Sequence, residues 1–111
     1  MNPRRALSLK QPYAEQILRG DKRAEYRDRP TRIRERVYIY ASRTPGPAAE
    51  FAKMNLHPGD LPVGVLVGTV EIVDCTGGGK RYAWHLARPE RLAQPLKPAN
   101  RAQPIWFYPF G

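Results

Sequence analysis

Cysteine, histidine and acid are scarce in this sequence. Among 111 residues there is one cysteine, Cys75, and two histidines, His57 and His85. A lone thiol excludes an intramolecular disulfide framework, and so few soft ligands make a structural zinc site unexpected. The reading is therefore no metal, no cofactor and a reducing, cytoplasmic setting. Long hydrophobic runs are also missing. No apolar stretch approaches the about 20 residues of a membrane span, and the opening MNPRRALSLKQP is too briefly apolar for a signal peptide, so no membrane association is expected. Acids number 10 against 19 lysines and arginines, a net charge of +9. That imbalance makes polyanions the natural partners. Long uninterrupted helices are excluded too, because twelve prolines and nine glycines punctuate the chain.

At this length the chain suffices for one core, and a single domain over residues 1–111 is expected, acting as a monomer. ALSLKQ alternates as a half-buried first strand does, with Leu7 and Leu9 on one side and Ser8 and Lys10 on the other. Pro12 suits a helix start, Tyr13, Ala14, Ile17 and Leu18 form an apolar face, and Gly20 suits the left-handed end. From Arg23 to Asp28 a period of two sets Ala24 and Tyr26 on one face and Glu25 and Arg27 on the other. RERVYIYAS is the next strand, with Val37, Ile39 and Ala41 inward and Tyr38, Tyr40 and Ser42 opposite.

TPGPAAEFAKMNL predicts a helix of two or three turns anchored by Phe51 and Met54. VGVLVGTVEIVDC carries the longest strand pattern, with Gly64 and Gly68 placed as bends in a sheet curling toward a barrel. TGGGK reads as a flexible linker, not a phosphate-binding loop, since its glycines lack that spacing. RYAWHL and PIWFYP read as further strands, and the proline-spaced RPERLAQPLKP between them as a surface connection.

The segment LSLKQPYAEQILRGDKRAEYRDRP, continuing into VYIYAS, resembles the ASCH domains of the PUA-like superfamily in their small, single-domain bacterial form. Gly20, Lys22, Glu25 and Arg27 fill the family's Gly-x-Lys-x-x-Glu-x-Arg motif, after a Gln-Pro-aromatic helix start at Gln11, Pro12 and Tyr13. The resemblance implies an α+β fold, a small PUA-like β-barrel flanked by short helices, with RNA or another single-stranded nucleic acid in a cleft between barrel and first helix. On the residues themselves, Arg27 offers a fork and Lys22 a point charge for phosphate. Glu25 either orders those cations or accepts from a base edge, and the alternative is an ion pair bridging helix to barrel. Lys10, Gln11, Ser42 and Arg29 extend the expected binding set, Arg32 widens its charge, and Tyr13, Tyr40 and Trp84 are the candidates for stacking a base. Trp106, among Ile105 and Phe107, reads as core.

An enzyme is the second reading. Some ASCH members resemble amidohydrolases of N4-acetylcytidine that use a lysine and a threonine in the motif and a later glutamate. Lys22 and Glu71 match, but Glu25 stands at the threonine position and removes the hydroxyl nucleophile. A ribonuclease using Lys22 with Tyr40, or the paired carboxylates Glu25 and Glu71, is the other form; Lys22, Glu25 and Glu71 are then the catalytic candidates. A nucleoside-like small ligand and an acidic protein partner complete the alternatives.

Overall fold

The structure, a computed structural model, describes residues 3–111. Its elements run β1 (Ala6–Leu9), α1 (Tyr13–Leu18), β2 (Ala24–Arg27), β3 (Arg36–Ala41), α2 (Ala48–Ala52), β4 (Val65–Gly78), β5 (Arg81–Leu96) and β6 (Trp106–Phe107). Six strands form one sheet in the order β2-β5-β4-β3-β1-β6, antiparallel except for β1 against β3. The architecture is α+β, and no helix of the described residues is long and apolar enough to cross a membrane.

Leu7, Leu9, Val37, Ile39, Val70, Ile72, Trp84 and Leu86 bury one face of this sheet against Ala14 and Ile17 of α1. The alternation expected for β1 and β3 puts their inward residues into that core. A second cluster of Ala6, Tyr40, Leu66 and Phe107 lies on the other face of the sheet. α1 is only six residues long, so its stability comes from this packing rather than from its own hydrogen bonds. Gly20 closes it at φ +81°, a backbone state a side chain would oppose. The amides of Asp21 and Lys22 then fold back onto the Gln16 carbonyl, at 3.0 and 3.1 Å, which starts β2 on a fixed heading.

Four expectations need correction. The sheet does not close into a barrel: β2 pairs with β5 alone and β6 with β1 alone. With four and two residues, these edge strands are too short to ladder across the remaining gap. α2 is five residues, not two or three turns; Phe51 is buried, while Met54 lies beyond the helix, where Gln16 Nε2 meets its sulfur at 3.7 Å. The glycine run is no linker, since Gly77 and Gly78 pair with Tyr82 and Arg81 and only Gly79 and Lys80 turn. RPERLAQPL is strand rather than connection. β2 covers β5 only from Tyr82 to His85, so Pro89 and Pro95 fall where the far side of β5 is an open edge. An absent amide costs little there.

Candidate nucleic-acid interface

The unclosed seam between β2 and β1 is a cleft of about 1020 Å³. Its walls carry five cations, Lys10, Arg27, Arg43, Lys97 and Arg101, and one carboxylate, Glu25. The outer wall is the segment from Lys97 to Ile105, pinned across the β1 edge. Ser8 Oγ donates to the Gln103 carbonyl at 2.7 Å, and the Ser8 amide donates to the Ile105 carbonyl at 2.9 Å. Asn100 Nδ2 donates to the Tyr108 carbonyl at 2.8 Å and fixes the far end of the wall.

Arg27 spans the seam. Its Nε donates to Glu25 Oε2 at 2.8 Å, one Nη reaches the Ser8 carbonyl at 3.0 Å, and its carbon lies 5.7 Å from the Trp84 ring centroid. Backbone alternation makes this possible, because Glu25 and Arg27 share the inward face of β2, Glu25 opposite buried Trp84. A planar guanidinium with five donors can hold these two acceptors, and no hydrogen bond among the described residues engages its other Nη. Glu25 is thus ion-paired with the arginine two residues on, on the same face of the strand. Lys22 is looser: its ammonium is 3.8 Å from Glu25 Oε1 and lies 5.4 and 5.2 Å from the ring centroids of Tyr13 and Tyr26.

Of the expected binding residues, Ser8's neighbour Lys10, Tyr13, Glu25, Arg27, Tyr40 and Ser42 line the cleft. Tyr40 is 4 % exposed, its ring edge-on to Phe107 at 5.2 Å, so it shapes the floor and offers no open face for stacking. Lys22 is not among the lining residues and borders a smaller pocket with Gly20, Arg23 and Arg88 instead, and Gln11 and Trp84 belong elsewhere. Gln11 is 1 % exposed; its Oε1 accepts from the Glu15 amide and its Nε2 donates to the Pro62 carbonyl, both at 3.0 Å. It caps α1 and ties it to the loop before β4. Trp84 is also 1 % exposed, stacked on Trp106 at 5.8 Å with its indole nitrogen donating to the Arg29 carbonyl at 3.0 Å. It is core, and the Arg27 guanidinium takes its ring. Arg29 itself is exposed outside the cleft and paired with Asp28 at 3.2 Å; Arg32 is exposed too.

Glu71 is not brought to Lys22 and Glu25. Val70 and Ile72 are the inward residues of β4, so Glu71 falls on the opposite sheet face from Glu25. There it accepts from Arg88 and, at 3.3 Å, from Arg36. The hydrogen bond from Arg88 holds its carboxyl below the ordinary 4.5 despite some desolvation, which favours the ionised form and makes it a weaker base. No group of three or more histidine, cysteine or acidic side chains is gathered for a metal among the described residues.

Arg43, Lys97 and Arg101 escaped the sequence reading. Their signal was cations spaced among prolines and turn residues, SRTPGP and LKPANRAQP, which carry no periodicity to say which way they point. Only the fold brings both segments to one seam.

A comparison with curated proteins finds no match for the chain. The profile of the ASCH domain matches residues 7–103, from β1 through the motif on β2 to the wall of the cleft. That match spans nearly the whole chain, and the protein belongs to the ASCH domain family.

Proposed function

We propose that the seam cleft binds RNA or another single-stranded nucleic acid, with phosphate held by the Arg27 guanidinium and by Lys10, Arg43, Lys97 and Arg101. The association of ASCH domains in general with RNA binding supports this reading. The observation that carries it is the charge of the cleft: five cations against one carboxylate that already accepts from Arg27. A surface so composed repels itself until an anion enters, and a phosphate backbone supplies anions at regular intervals. In this reading the chain is a single-domain monomer of the cytoplasm. A hydrolase that pairs Glu25 with Glu71 is disfavoured, because Glu71 stands on the other face of the sheet from Glu25. Incubation with RNA or with an acylated cytidine is expected to give no product.

Fluorescence anisotropy of short labelled RNA, single-stranded DNA and duplex DNA over a range of salt tests the binding. If all five cations meet phosphates, the log–log salt slope for single strands is about −3.5, at about 0.7 per contact. Arg27→Ala lowers it by about one contact and weakens binding. Affinity that is indifferent to salt, or to Arg27→Ala, overturns the assignment of the cleft.

A further inference from the structure

Tyr26 stands on β2 between Glu25 and Arg27 and therefore projects from the opposite face of the strand. It is 70 % exposed, the most exposed of the large hydrophobic side chains described. A single exposed ring is ordinary in itself; its surroundings are not. Its cross-strand neighbour is Ala83, which faces Thr76 on β4, and the next residue on its own face is Ala24. Small side chains leave the ring standing clear. No hydrogen bond among the described residues uses its hydroxyl, and it joins no aromatic pair. Its neighbour in charge is Lys22, whose ammonium lies 5.2 Å from its centroid and 5.4 Å from that of Tyr13. Tyr13 lines the cleft. The sequence cleft, Tyr13, Lys22, Tyr26 is thus a continuous path of ring, cation and ring around the free edge of β2.

We infer that Tyr26 is a second subsite, a stacking platform for an unpaired base of the strand whose neighbouring nucleotide occupies the cleft, with Lys22 against the phosphate between them. This rests on the nucleic-acid reading of the cleft and extends it beyond the cleft. The charge and the ring together select the occupant. Lys22 contacts Glu25 only at 3.8 Å, too long for a hydrogen bond, so its donors remain available to a phosphate oxygen. A base has the flat face that an exposed tyrosine stacks, whatever its identity. An acidic protein segment would answer the lysine but not the ring. A duplex, whose bases already stack on one another, cannot turn around a strand edge.

The test compares wild type, Tyr26→Ala, Tyr26→Phe and Arg27→Ala by anisotropy with a short labelled single strand and the duplex of the same sequence, at several salt concentrations. Tyr26→Ala is expected to weaken the single strand about 5- to 150-fold with an unchanged salt slope, since stacking releases no counterions. Tyr26→Phe keeps wild-type affinity because the ring, not the hydroxyl, makes the contact. Arg27→Ala lowers the slope instead. Unchanged affinity in Tyr26→Ala alongside a loss in Arg27→Ala overturns the platform and leaves the cleft standing. An equal loss for single strand and duplex overturns it as well, and a wild-type protein that binds neither overturns both assignments.

Discussion

At Glu15 a carboxylate is 6 % exposed yet fully paired, with Arg91 donating at 2.8 and 2.9 Å and Arg19 at 2.7 Å. Burial pushes this carboxyl up, but the hydrogen bonds from the two arginines outweigh it and hold the group below the ordinary 4.5. The pairing also raises Arg91. A folded-state value below the unfolded one means the unfolded chain binds the proton first as pH falls. The stabilisation is therefore complete above 4.5 and is lost as pH drops through the lowered folded value. Glu15→Gln is expected to cost about 1–3 kcal/mol at neutral pH. In urea unfolding, its deficit against wild type should shrink on acidification below 4.5. A deficit independent of pH would mean that packing, not charge, is what Glu15 supplies. Arg27 differs in kind: its partners tie it across the seam while leaving part of the fork on the cleft.

Among the elements, β4 and β5 are the longest, and their register slips at three places. Gly68 sits at one slip. A Cβ there would lie 2.5 Å from the Glu90 carbonyl oxygen and also meet a Leu18 methyl of α1. Because one neighbour is backbone, Gly68→Ala is expected to destabilise by about 1–3 kcal/mol, read as a lower urea midpoint at unchanged slope. A midpoint equal to wild type would mean that the two long strands part without cost. Much of this layout is legible in the sequence. Period-two alternation assigns the faces of β1, β2 and β3, and places Glu25 with Arg27, because β1 keeps its register on β3 and β2 on β5, while the slip of β3 on β4 between Ile39 and Tyr40 skips a residue of β4 and none of β3. Alternation by itself does not reveal pairing partners. Hence Trp84 and Tyr40 could be named as aromatics but not sorted into core and rim, and Glu71 could not be seen to face away from Glu25. Prolines misled at β5, since a proline reports a missing amide and not whether a partner strand was waiting for it.

Across the whole molecule, charge and shape act together. A net charge of +9 is spread over a small protein, yet five cations converge on one cleft. A ligand that binds only the folded form should then stabilise it. At a free concentration one hundred times its dissociation constant, a single-stranded RNA is expected to add about 2.7 kcal/mol, visible as a higher melting temperature. High salt should abolish that increment while leaving the melting of the free protein nearly untouched. An RNA-independent melting temperature at low salt would count against any site for it. β2 and β1 meet through a side chain rather than a ladder, and this has a consequence for the spacing of the two strands. Paired strands are locked about 4.8 Å apart by the peptide geometry itself. Here the gap between β2 and β1 is spanned by the reach of one guanidinium to the Ser8 carbonyl. The distance between these two strands is thus written in a single codon, open to change through that residue's length without rebuilding a strand.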